Sequence, residues 1–334
     1  MSTYLLAGPN LRCWLAVLDE HEQNKYEEGP IFEVLMLRTP SGGYLFDPAG
    51  RCIYCGAGGP LTREHIVPFG LFGDLVLPAA SCRGCQEVTS GLETFVLKRM
   101  LGVTRTKYGF RSQNSRKRRR QDGASIRRIE RDGSRTEIPL ETDQLPFHSW
   151  ALPVFNTPAL AWQAPYEDVV RDDKLEFRVG RDDAETALEA GGGLHPIEMP
   201  VGVYDPQKFT RFLAKVAHGY ACAVLGVDGF PHLLGEFVRS GHEQPRIFVG
   251  GELDIEEPRP TIYELALGTT LAWNGQRFLG VRMRFLSFLG TPTYTAVVSE
   301  HLEQEIELPD HAAYEKPIKV TVKGRNDEVL FRSG

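Results

Sequence analysis

Four of the six cysteines in this 334-residue chain form two pairs of the same spacing, Cys52-x2-Cys55 and Cys82-x2-Cys85. Two intervening residues let both sulfurs of a pair face one ion from a tight turn, and two such turns complete a tetrahedral S4 shell. Zinc suits that shell, being soft enough for thiolate and indifferent to ligand-field geometry. Four thiolates leave no open position for a reacting water, so the expected Zn2+ is structural. The alternative, reduced and unliganded cysteines, fits a doubled spacing less well. Cys13 and Cys222 stand alone and are read as packing residues.

Between the pairs lies Thr62-Arg63-Glu64-His65-Ile66-Val67-Pro68, followed by Phe69-Gly70-Leu71-Phe72-Gly73. A carboxylate beside a histidine, then apolar residues, then Pro and Gly, suits a strand entering a loop. Adjacent strand residues point to opposite faces, so Glu64 and His65 serve one site together only near a strand end. Histidine titrates close to neutral pH, so His65 can be uncharged and still basic. Its bland alternative is a packing histidine.

On these residues the segment resembles the HNH nuclease family: the flanking pairs Cys52/Cys55 and Cys82/Cys85, the acid–histidine pair Glu64-His65, and Ile66-Val67-Pro68. The resemblance covers about residues 50–100. It implies a zinc-stapled ββα-metal finger and metal-dependent hydrolysis of phosphodiester bonds. His65 would be the general base, and Glu64 would help hold a catalytic Mg2+ or Mn2+ that stabilises the developing phosphorane charge. Two positions depart from the family. Leu77 stands where it usually has Asn, and Gln86 where it often has His or Asn. Gln86, Glu87 and Glu93 are therefore candidates for the missing ligand, with Thr89 and Glu93 matching divergent members. The alternative is a non-catalytic zinc finger, nucleic-acid-binding or regulatory, with a degenerate site.

The net charge of −6 alone argues against a nucleic-acid partner, but the charge is segregated. Between Lys98 and Arg135 there are 14 Lys or Arg against three acids, a local +11 that leaves −17 for the rest of the chain. Such an arm on an acidic body suits a polyanion partner. Arg116, Lys117, Arg118, Arg119 and Arg120 are the expected phosphate contacts, with Arg63 beside the histidine. Tyr108 and Phe110 lie among the charges and could stack on unpaired bases. DNA is expected before RNA. The bland reading of the arm is a solvated linker.

Four segments follow. Residues 1–50 are an N-terminal extension, with a helix expected from the spacing of Leu11, Trp14, Leu15 and Leu18 and a strand over Ile31–Arg38. Residues 51–103 hold the finger and 104–144 the basic arm, with a hairpin around Asp132-Gly133. Residues 145–334 read as an α+β domain with an antiparallel sheet and no legible role, a candidate for homo-oligomerisation. Asp205-Pro206 starts a helix that runs to Gly226, with Phe209, Phe212, Leu213, Val216 and Tyr220 on its apolar face. Arg211, Lys215, His218 and Cys222 fall on the other side, read as solvated. His232 and the other scattered histidines carry no ligand spacing. Asn274-Gly275 marks a further hairpin. The fold class expected is α+β. No apolar run approaches the roughly 18 residues of a membrane span. With no secretory signal apparent at the N-terminus, the expected location is cytoplasmic.

Overall fold

The computed structural model describes residues 3–6, 12–17, 44–108, 110, 124–130, 132–140, 147–181, 197–272, 276–300, 312–317, 321–323 and 329–332. The chain opens with an antiparallel pair, β1 (Thr3–Leu6) and β2 (Arg12–Val17). The helix expected from Leu11 to Leu18 is therefore a strand across its described residues. Pairing on both sides, with β1 and with Ile197–Val203, outweighs a helical spacing of only four apolar residues. The strand expected over Ile31–Arg38 lies outside the described residues.

The cysteine-bearing unit comes next. β3 (Tyr44–Leu45) runs parallel to β5 (Leu75–Cys82), which pairs antiparallel with β4 (Leu61–His65). Helix α1 (Arg83–Phe95) starts directly after β5 and continues through a π-helical turn, Val96–Met100, to α2 (Gly102–Lys107). The loop from β4 to β5 folds back sharply, with Phe72 left-handed at φ 56°. A Cβ at Gly73 would sit 1.9 Å from the Val67 carbonyl oxygen, so only glycine closes this loop.

The expected hairpin around Asp132-Gly133 joins β6 (Ala124–Ile129) to β7 (Arg135–Leu140), and the Ser134 amide donates to the Asp132 carboxylate at 2.9 Å. β8 (Phe147–Val154) pairs with β9 (Lys174–Arg181), with α3 (Ala159–Trp162) and α4 (Tyr166–Arg171) between them. β10 (Ile197–Val203) completes a five-stranded sheet of order β1-β2-β10-β6-β7. Part of the segment expected as a linker is thus sheet.

Helix α5 (Pro206–Leu225) begins and ends as its caps dictate. The Asp205 carboxylate accepts from the Lys208 amide at 3.0 Å, Pro206 opens the first turn, and Gly226 stops it at φ 78°. A short α6 (Gly235–Ser240) follows. Then β11 (Val249–Gly251), β12 (Thr261–Leu271), β13 (Arg277–Phe285), β14 (Thr293–Ser299) and β15 (Ala313–Pro317) form an antiparallel sheet of order β11-β14-β13-β12-β15. β12 and β13 are the two arms of the expected second hairpin, whose turn at 273–275 lies outside the described residues. A last pair, β16 (Thr321–Lys323) and β17 (Val329–Arg332), closes the described chain. The fold is α+β with antiparallel sheets, and among the described residues no helix is long and apolar enough to cross a membrane.

Helix α5 is what joins the halves. Its Phe209 ring lies 5.2 Å from Tyr294 and its Phe212 ring 5.7 Å from Phe285, both on the β11–β15 sheet or its edge. The opposite side, expected to be solvated, is buried: Lys215 and His218 are 0% exposed and Cys222 1%. A helix covered all round lies inside a larger body. What covers this side is the cysteine-bearing unit, and one continuous apolar core runs from Phe46 through α5 to Ala312.

Candidate functional site

The sulfurs of Cys52, Cys55, Cys82 and Cys85 all lie within 4.8 Å of one another, and Cys55 Sγ is 3.7 Å from Cys82 Sγ. Zinc–sulfur bonds of about 2.3 Å at tetrahedral angles place sulfurs about 3.8 Å apart, so this set fits a single metal ion. Backbone geometry builds both turns. The Gly56 amide donates to the Cys52 carbonyl at 2.8 Å, the Cys52 amide to Ala57 at 2.9 Å, and the Ile53 amide to Ala80 on β5 at 2.9 Å. Cys82 is the N-cap of α1. There the backbone N–H of Cys85, facing its sulfur, holds the Cys82 pKa down to about 7, the thiolate-favouring environment of a helix start.

The ladder from β4 to β5 shifts register between Thr62 and Glu64, then pairs Glu64 with Leu77 and His65 with Val76. Beyond the shift the two neighbours part. Glu64 points inward and is buried, whereas His65, the last residue of β4, stays half-buried. Burial first, then the positive charges of Arg63 and Lys215, push the His65 pKa below the ordinary histidine value, with Glu93 pulling the other way. The ring is therefore neutral at working pH and keeps a lone pair for a proton. Its Nδ1 is buried and has no hydrogen-bond partner among the described residues.

The inward side of β4 holds the feature that the sequence reading missed. Lys215 on α5 reaches 151 residues back to place its ammonium 2.8 Å from Glu64 Oε1, and lies 2.7 Å from Glu93 Oε1 on α1. The same Nζ donates to the backbone carbonyls of His65 and Ile66. Burial alone would pull the Lys215 pKa down, but the two carboxylates outweigh it and the ammonium stays charged. Burial raises the Glu64 pKa while Lys215 pulls against it. The buried Tyr54 hydroxyl lies against this group, its pKa raised by burial and then by Glu64 and Glu93. A lysine set in the apolar run Phe212–Ala217 was the available signal.

The Glu64 side chain, expected to help hold a divalent metal, is 5% exposed and shares the internal cation Lys215 with Glu93. Glu93 is paired with Lys215 through one oxygen in the same way, and its side chain is more open, at 22% exposed. Gln86 is half-buried, seven residues before Glu93 and so about 10 Å along the helix axis, too far to share one ion readily. Glu87 is occupied on the surface by Arg83 at 3.2 Å. Leu77, at the family's Asn position, is buried opposite Glu64.

Arg63 is exposed on β4. Arg116, Lys117, Arg118, Arg119 and Arg120 lie outside the described residues. Two aromatics expected to reach bases are instead packed: the Phe110 ring is 4.8 Å from Phe72, and the Tyr108 ring 5.0 Å edge-on from Phe288. Arg105, counted in the basic segment, donates to the carbonyls of Gly70 and Leu97 at 2.8 Å and braces the β4–β5 loop. No family model, curated protein or solved structure matches this chain.

Proposed function

We propose that this protein is a metal-dependent endonuclease of the HNH type, hydrolysing phosphodiester bonds in nucleic acid, DNA before RNA. The observation that carries the reading is His65, neutral and half-buried at the end of β4, in a strand–strand–helix unit whose four cysteines converge on one point. A structural Zn2+ would staple the unit. A divalent ion at Glu93 would supply charge stabilisation for the phosphorane and the leaving oxygen.

The chain's own residues then divide the work. His65 accepts the proton of the attacking water as the new O–P bond forms and the ester P–O bond breaks. Lys215 fixes the His65 main chain through its carbonyl and holds Glu64 and Glu93 in place. Arg63 and the basic arm supply phosphate contacts, which dominate non-specific affinity and weaken with salt.

The Lys215 ammonium favours one second reading: a finger that binds nucleic acid and has exchanged its metal for a lysine. Incubation of the full chain with supercoiled plasmid separates the two. Cleavage that appears with added Mg2+ or Mn2+ and is lost in Glu93→Gln supports the nuclease. Salt-sensitive binding with no cleavage under either metal leaves the binding finger.

A further inference from the structure

A second cluster of metal-type donors lies on the far side of the first cysteine turn. His218 and Cys222 stand one helical turn apart on α5, and His232 comes from the loop before α6. One donor atom from each lies within 4.8 Å of the other two, and the two imidazole rings meet at right angles with centroids 4.9 Å apart. The spacing His218-x3-Cys222 puts both side chains on one face of the helix. His232, ten residues further on, is brought in by the chain reversal after Gly226.

The hydrogen bond of His218 has the form that metal ligands show. His218 Nε2 lies 2.7 Å from the Ile53 carbonyl oxygen. A carbonyl only accepts, so Nε2 carries the proton and Nδ1 keeps its lone pair, buried and unpartnered among the described residues. Histidines that ligate metals almost always donate their other nitrogen to a carbonyl or carboxylate, which fixes ring and tautomer. Cys222 Sγ, 3.8 Å from His218 Nε2 with Nδ1 across the same ring, supplies the thiolate. His232 is exposed, so a fourth position would face water.

We propose that His218, Cys222 and His232 bind a second zinc ion, with three protein ligands and a solvent-facing fourth position. One thiolate and two imidazoles are a donor set for zinc rather than for Mg2+ or Ca2+, which take oxygen. The Ile53 carbonyl belongs to the Cys52–Cys55 turn, so an ion here would bear through His218 on the first metal site. The packing supports that junction. A Cβ at Gly235, the first residue of α6, would sit 2.8 Å from the Tyr54 carbonyl oxygen, so the α6 backbone abuts the same turn. The proposal is independent of nuclease activity.

The test is metal content of the full chain after zinc saturation and removal of free ion. Two zinc ions per wild-type chain, falling to one in His232→Ala and in Cys222→Ser, are expected. One ion in the wild type, or two retained in both variants, would overturn the proposal. His232 is exposed and its loss leaves the core intact. Should Cys222→Ser fail to fold, Co2+ titration of the wild type decides alone. The first equivalent should give the strong charge-transfer band of four thiolates, and the second the weaker band of a single thiolate. A second equivalent that adds no thiolate band would likewise overturn it.

Discussion

The two sides of α5 face different materials and are held by different physics. Toward the β11–β15 sheet, Phe209 and Phe212 pack on Tyr294 and Phe285, a contact of apolar area and ring geometry. Toward the cysteine-bearing unit, Lys215 and His218 reach main-chain carbonyls and carboxylates across an interface that excludes water. The apolar side tolerates any neighbour of suitable volume. The polar side works only if each buried donor and acceptor meets its intended partner. This is how a helix fixes the position of a site-bearing unit rather than merely covering it.

Removing the metal ligands should break that comparison most severely. Cys85→Ser opens the S4 shell, and structural zinc sites are worth about 10–16 kcal/mol of folding free energy in small domains. The expected result is loss of the tightly held zinc and of the cooperative unfolding transition of residues 44–103, read by metal analysis and proteolysis. A variant with wild-type zinc content would refute the S4 assignment.

The next effect separates the two sides of α5. Lys215→Met leaves the buried Glu64 and the half-buried Glu93 without their cation, which costs about 3–5 kcal/mol. Phe212→Ala on the apolar side costs about the same through a cavity. The two losses differ in rescue. Adding Glu64→Gln should recover part of the melting temperature of Lys215→Met and none of that of Phe212→Ala. Equal recovery in both, or in neither, would contradict the contrast between the sides.

A gentler probe is pH. His65 has its pKa lowered, so it stays unprotonated below the ordinary histidine value of about 6.5 and gains its proton only in more acid solution. The acid limb of kcat/KM for plasmid cleavage should fall below pH 6.5, and Arg63→Ala should move it upward by removing a positive neighbour. A limb well above pH 6.5 would assign the titration to another group. Smallest of all, Arg83→Ala removes only an exposed pair with Glu87 and should leave the melting temperature unchanged.

The parts written in local chemistry were legible beforehand. The cysteine pairs, the Asp205 cap with Gly226 as stop, and the Asp132-Gly133 hairpin depend on residues within a few positions of each other. Partners far apart in the chain were not. Lys215 looked solvated because its carboxylates lie 122 and 151 positions away and nothing near it signals their approach. His218 and Cys222 fell under the same reading, since a polar stripe that meets water and one that meets a buried turn share one periodicity. The N-terminal strand failed for a related reason: its pairing partner Ile197–Val203 lies far along the chain. Within the candidate site, His65 stood out by residue type and spacing, whereas the pairing of Glu64 and Glu93 with one lysine needed the helix that packs behind them.

The most direct test compares wild type and His65→Ala on supercoiled plasmid, at saturating Mg2+ and again at saturating Mn2+, with zinc content confirmed equal in both. A general base contributes about 10²–10⁴-fold, so the wild type should nick the plasmid and His65→Ala should be slower by at least about 100-fold. Cleavage at equal rates in the two proteins, or in neither, would contradict the account.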